Sequence, residues 1–219
     1  MTPAQLAGLD DSHLEKESRL HPEAATAFRA MCDAARRDNI HIDLASGYRN
    51  FHRQCAIWNG KFNGERPLLD AHSHPIDALS LEIGERVHAI LRWSALPGAS
   101  RHHWGTDIDV YSKALLPTDT KLQLEPWEYQ KGGHQYPLSQ WLANYAHQFG
   151  FFFPYRIDLG GVGIEPWHLS YAPISKKCLS QLTPTFLKNL LATENIAGKD
   201  WLINHLNDVY QRYICNISE

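Results

Sequence analysis

The amino-acid sequence predicts an α+β fold. Helical periodicity concentrates at the two ends of the chain, short apolar runs of strand length fall between them, and no regular β-α-β alternation links the two. There is no internal repeat.

Pro22 suits the first turn of a helix, and Ala24, Phe28, Met31 and Ala35 recur at helical spacing until Arg36-Arg37-Asp38-Asn39, predicting a helix that ends near residue 38. Residues 40–45 alternate apolar and polar, as a half-buried strand does, and Ser46-Gly47 breaks it. Asn50 is a candidate cap for a helix running to Trp58. Residues 60–75, punctuated by Gly64, Pro67 and Pro75, read as a long surface loop of the kind that covers a site. A helix is expected over 77–93, with Leu79, Ile83, Val87, Ile90 and Leu91 on one stripe, stopping before Pro97-Gly98. Residues 106–111 read as a strand and 112–138 as an irregular excursion. Ser139 is expected to cap a helix ended by Gly150. Residues 151–153 and 164–171 read as strands, and 183–193 and 199–213 as helices.

Length and composition bound the function. At 219 residues, 43% hydrophobic and 21% charged, the chain is expected to fold as one domain over 1–219 without disulfides. A net charge of -3 lacks the basic surplus of a phosphate-backbone binder, so nucleic acid is not an expected partner. No stretch approaches the apolar length of a membrane span. Residues 1–14 have neither a cationic segment nor an apolar core, so with Met1 as the native start the expected location is cytoplasmic. Cys32, Cys55, Cys178 and Cys215 form no CxxC pair and are expected to be reduced and mostly buried.

Three segments concentrate polar side chains. Residues 100–109 read SRHHWGTDID, and residues 165–168 read EPWH. Together they hold imidazoles and a carboxylate at His-x6-Asp and Glu-x2-His spacings. Two His with one carboxylate is a set that catalytic zinc uses, since three protein ligands leave a position open. Strand alternation turns Asp107 and Asp109 to one face and Ile108 and Val110 to the other. Glu165 is the spare carboxylate, able to take a proton from water. The third segment, SGYRNFHRQ over 46–54, offers the Arg49 fork for a carboxylate or an oxyanion, and the Gln54 amide for the same ligand.

In this order the segments resemble the VanY-like D-alanyl-D-alanine carboxypeptidases, relatives of VanX and of the hedgehog and lysostaphin-type zinc folds. The likeness spans about residues 41–171, ahead of the C-terminal helices of 183–213. The family pattern Ser-x-His-x-x-Gly-x-x-x-Asp falls on Ser100, His102, Gly105 and Asp109, and Glu-Pro-Trp-His falls on 165–168. The resemblance implies a small central antiparallel sheet flanked by helices. It implies Zn2+ on His102, Asp109 and His168, and Glu165 as general base. It further implies Arg49 as transition-state or carboxylate clamp, and Ser100 and Gln54 in the substrate pocket. Asp107 departs from the small residue that relatives carry there. Asp109 is retained as ligand on spacing, and Asp107→Ala is expected to leave the metal in place.

Other residues carry blander expectations. His103 points away from His102 on an extended chain, to the site's outer layer or the surface. His72-Ser73-His74 is a loop feature, because the chain is short for a (β/α)8 barrel. Trp104 and Trp167 are packing walls first, and Arg36-Arg37 and Lys176-Lys177 are solvated charge. The implied function is removal of a terminal D-Ala from peptidoglycan stem peptides or muropeptides. L,D-cleavage of tetrapeptides is favoured, since a cytoplasmic enzyme trimming pentapeptide would destroy the wall precursor. D,D-cleavage of pentapeptides and a non-catalytic zinc-containing binding module are the alternatives, and Glu165 separates the last from an enzyme.

Overall fold

The computed structural model describes every residue except His72 and Glu219, so the His72 part of the His-Ser-His loop lies outside the described residues. After a short α1 (Pro3–Leu6), the chain runs α2 (Pro22–Arg37), β1 (Asp43–Ser46), α3 (Phe51–Phe62), β2 (Leu68–Leu69), β3 (Pro75–Ile76) and α4 (Ile83–Leu91). It continues through β4 (Asp107–Tyr111), α5 (Pro126–Tyr129), α6 (Tyr136–Tyr145), β5 (Phe151–Phe152) and β6 (His168–Tyr171). The C-terminal part is helical: α7 (Ala172–Gln181), α8 (Pro184–Thr193), α9 (Lys199–Asn204) and α10 (Leu206–Val209), the last running into a π-turn over 210–214.

The expected α+β class holds, with a four-stranded antiparallel sheet in the order β1-β4-β6-β5. Its two faces divide the molecule. Ile108, Val110, Leu169 and Phe151 pack with α2 and α6 residues such as Met31, Ala35, Leu138 and Leu142 in one core. The second core joins α3, α4 and the C-terminal helices through Trp58, Ile90, Leu91, Leu187 and Leu202. Strand alternation leaves Asp107 and Asp109 on the sheet face opposite the first core.

Local polar chemistry explains where the elements depart from periodicity. Asp77 caps a 3-10 turn over 78–80 by accepting the Leu79 N–H at 2.9 Å, and Leu81 is extended. Glu82 and Glu85 then form a capping box, so the expected helix over 77–93 is two pieces, with Leu79 62% and Ile83 48% exposed rather than on a buried stripe. The 60–75 loop holds the β2–β3 hairpin, and α3 runs past Trp58 to Phe62. With Pro137 in its first turn, α6 begins at Tyr136, and its N-cap is Gln135 rather than the expected Ser139. The expected 199–213 helix breaks at His205, whose Nδ1 donates to the Trp201 carbonyl at 2.8 Å while its ring stacks on Trp201 at 4.0 Å. The strand expected over 164–171 pairs only from His168, and the one expected over 40–45 only from Asp43. α1 and α7 were not visible as periodic segments. Asn50 caps α3 through Arg53 N–H at 2.8 Å, as expected, and Thr183 caps α8.

All four cysteines are free, and Cys32 and Cys178 are buried. Arg36, Arg37, Lys176 and Lys177 are solvent-exposed. Among the described residues, no helix is long and apolar enough to cross a membrane.

Candidate metal centre

Sheet register assembles the site. Asp109 of β4 stands opposite His168 of β6, and Ser46 of β1 stands opposite Asp109 across the other edge. Directly opposed residues bring their Cβ atoms to roughly 5 Å, close enough for side chains to share a ligand. His102 arrives from a 3-10 turn over 101–104 that ends in Gly105 at φ +67. A Cβ at Gly105 would meet Leu14 Cδ2 at 2.4 Å and His21 N at 2.8 Å, so both the conformation and the space require glycine between the imidazole and the strand that carries Asp109.

Donor atoms of His102, Asp109 and His168 all lie within 4.8 Å of one another, and all three residues are buried. His102 Nε2 lies 3.4 Å from Asp109 Oδ2. His168 Nδ1 lies 3.2 Å from both Asp109 Oδ1 and Glu165 Oε2. Each imidazole has its other nitrogen anchored from behind: His102 Nδ1 donates to the Gly47 carbonyl at 2.8 Å, and His168 Nε2 contacts Asp107 Oδ1 at 3.0 Å. Metal-binding imidazoles are oriented in this way.

The electrostatics suit a cation at the centre of this group. Among the described residues, neither Asp109 nor Glu165 forms an ion pair with a lysine or arginine; the imidazoles of His102 and His168 lie against them, and Arg49 acts on both at longer range. Asp109 Oδ1 is buried with no properly aligned hydrogen-bond donor. Burial pushes His102 down to about 4, leaving it the neutral form that ligates. Burial acts the same way on His168, yet the Asp107, Asp109 and Glu165 carboxylates, which accept from its ring, raise it well above the usual range, an environment that rewards positive charge. Burial raises the Glu165 carboxyl above its ordinary value against the opposing pull of His168. The donor set and its surroundings therefore fit a divalent metal.

These residues floor a cavity of about 290 Å³, which Arg49, Ser100, His102, Asp109, Glu165 and His168 all line. Gln54 does not line it, correcting the expectation. It is fully buried, its amide donating to the Ala95 carbonyl at 2.7 Å and its oxygen accepting from Arg49 Nη1 at 2.9 Å. Both ends of the side chain are thus used in holding the guanidinium. Arg49 N–H is pinned to the His102 carbonyl at 3.1 Å, and its own carbonyl accepts from His103 Nδ1 at 2.6 Å. His103 is fully buried, points away from His102 and accepts the Gly98 N–H through Nε2 at 3.1 Å. Ser100 Oγ is buried at the cavity wall, without a hydrogen-bond partner among the described residues.

Several contributors carried no sequence signal. Arg101 looked like one polar residue in a motif, but its Nε donates to Asp107 Oδ1 at 2.7 Å and its Nη2 to Ser170 Oγ at 2.6 Å, both fully within the protein. Tyr155 lines the cavity with its ring 5.1 Å from that of His168, and burial pushes its phenol up to about 12. Trp104 and Trp167 are buried core residues that also face the cavity.

A small antiparallel sheet between helices, carrying a buried His-Asp-His cluster with an adjoining glutamate, places the chain in the fold class of the VanY-type peptidases. The chain belongs within it to the VanY family of D-alanyl-D-alanine carboxypeptidases, whose model matches residues 17–174. An uncharacterised protein of Haemophilus influenzae is 44% identical over 121 residues, covering 54% of this chain and 92% of that one. A vancomycin-resistance D,D-pentapeptidase VanY variant from a VanB-type cassette, in complex with Zn(II), shares the fold at TM-score 0.52 and 24% identity, covering 76% of this chain and 81% of that one. The LD-carboxypeptidase LdcB, described for its peptidoglycan recognition, is similar at TM-score 0.50 and 27% identity, covering 80% and 71%.

Proposed function

We propose that this protein is a zinc-dependent carboxypeptidase that removes the terminal D-Ala from peptidoglycan stem peptides, with tetrapeptides preferred over pentapeptides. The observation that carries the reading is the convergence of the His102, Asp109 and His168 donor atoms within 4.8 Å, beside the Glu165 carboxylate, which forms no ion pair with a lysine or arginine among the described residues. These three residues hold the metal. When bound, zinc supplies a Lewis acid that polarises a carbonyl and lowers the pKa of water to about 7. Glu165, its carboxyl raised by burial, takes the proton of the attacking water and delivers it to the leaving amine. Arg49, held by Gln54 and the His102 carbonyl, places its fork toward the oxyanion that forms at the scissile carbonyl. Trp167 and Tyr155 wall the cavity and exclude water.

The preference for a tetrapeptide draws on the similarity to LdcB, and an activity of that kind leaves pentapeptide precursors intact. Mass spectrometry of matched tetra- and pentapeptide muropeptides after incubation with zinc-loaded protein tests it. The expected outcome is a higher kcat/KM on the tetrapeptide, and a tenfold preference for the pentapeptide reverses the assignment to D,D-cleavage. The purified protein should carry about one zinc per chain by elemental analysis. His102→Ala, Asp109→Ala and His168→Ala should each lose it, and retention of zinc by any of them rejects that residue as a ligand.

Arg49→Lys should keep zinc but lower kcat/KM by roughly tenfold or more, because a compact ammonium does not reproduce two parallel charged hydrogen bonds. Wild-type kinetics in that variant would confine Arg49 to tying β1 to α3.

A further inference from the structure

We propose that Lys61 binds the free C-terminal carboxylate of the substrate and so restricts this site to the last residue of a peptide; the inference rests on the carboxypeptidase reading above. Lys61 lies in the last turn of α3. Gln54, Trp58 and Lys61 fall at i, i+4 and i+7, so they share the helix face that turns inward. Gln54 and Trp58 are fully buried there, and Lys61, half-buried, reaches the cavity that holds the metal centre.

The charges lining that cavity divide into those already satisfied and those that are not. Arg101 is committed to Asp107 and Ser170. Arg49 is held by Gln54 and Ser46 beside Asp109 and Glu165, on the side where bond cleavage takes place. Glu125, from the segment before α5, accepts from the Ser73 hydroxyl. Lys61 is left with no hydrogen-bond or ion-pair partner among the described residues, in surroundings where burial, Arg49 and Arg66 all disfavour its charge and only Glu165 favours it. A partly desolvated ammonium in the field of two guanidinium groups gains from an added anion, and three donors on a compact head suit a carboxylate.

Hydrolysis of a terminal peptide bond presents such an anion in the right place. The carboxylate of the departing residue lies a few bonds from the scissile carbonyl, so a group that bonds the carbonyl region and a group that bonds the carboxylate must line one cavity, as Arg49 and Lys61 do. A peptide that continues past the scissile bond, or ends in an amide, offers Lys61 no charge.

The test compares zinc-loaded wild type with Lys61→Met, Lys61→Gln and Lys61→Arg on one stem peptide ending in D-Ala as the free acid and as the C-terminal amide. Wild type should prefer the acid by roughly 10- to 100-fold in kcat/KM, the range of a hydrogen bond to a charged group. Lys61→Met and Lys61→Gln should lose most of that preference through a raised KM for the acid, with little change on the amide, and Lys61→Arg should recover part of it. Lys61→Gln guards against misfolding of the methionine variant, and both are checked by zinc content. An unchanged acid-to-amide ratio in the variants, or equal cleavage of acid and amide by wild type, overturns the inference while leaving the hydrolase reading intact. Failure of wild type to cleave either peptide overturns the carboxypeptidase reading itself.

Discussion

Replacing Glu165 with glutamine should leave the fold and the zinc content unchanged and reduce turnover by roughly 10²- to 10⁴-fold, the contribution of a positioned general base. The substitution is nearly isosteric, and the carboxyl is not one of the three groups that converge as ligands. Its nearest partner is His168 Nδ1 at 3.2 Å, so the amide keeps the packing and loses only the capacity to accept and return a proton. Burial raises the Glu165 carboxyl and His168 lowers it, a balance that keeps its proton affinity closer to the working range than that of an exposed glutamate. Zinc analysis together with kcat on the tetrapeptide decides the matter. Near-normal turnover with a full metal site sinks the mechanism, and hydrolysis would then need another base. The same variant separates an enzyme from a binding module, because a module gains nothing from the carboxylate.

The sequence made the site more legible than the fold around it. His102, Asp109, His168 and Glu165 sit in two short segments whose register is set by backbone pairing, so strand alternation and motif spacing reach them directly. Gln54 was misread because nothing local distinguishes an amide aimed at a ligand from one consumed by the carbonyl of Ala95, which lies 41 positions away. The helix expected over 77–93 failed for a different reason. Its apolar spacing is compatible with one helix, but Asp77 caps a first short turn and the Glu85 side chain accepts the Glu82 N–H where a second helix begins, which splits the segment. α7 was missed since its buried face rests on Ser175 and Cys178 rather than on large apolar residues.

Asp107 shows how far spacing alone falls short, and its removal should have the second large effect. The sequence suggested that Asp107→Ala would be silent toward the metal; the contacts of Asp107 argue for a different outcome. Asp107 is fully buried and collects four partners: Arg101 Nε at 2.7 Å, Thr106 Oγ1 at 2.7 Å, Ser170 Oγ at 3.1 Å and His168 Nε2 at 3.0 Å. Burial opposes its ionisation, but Arg101 and His168 hold it well below the usual carboxylate range. Truncation leaves Arg101, only 4% exposed and with Nη1 already unpartnered, as a buried uncompensated charge. Breaking a buried pair from one side costs about 3–5 kcal/mol, so Asp107→Ala should lower the unfolding free energy of the chelated protein by that amount in urea titrations. It should also weaken zinc binding by roughly 10- to 100-fold, since His168 loses the acceptor that orients its ring. Adding Arg101→Met separates the two roles. The double variant removes both charges and should recover most of the stability, whereas zinc affinity should stay low because the acceptor behind His168 is still missing. Recovery of both together would mean that Asp107 acts on the metal only through the fold. Complete loss of zinc from Asp107→Ala, with Asp109→Ala remaining loaded, would instead exchange the roles of the two carboxylates.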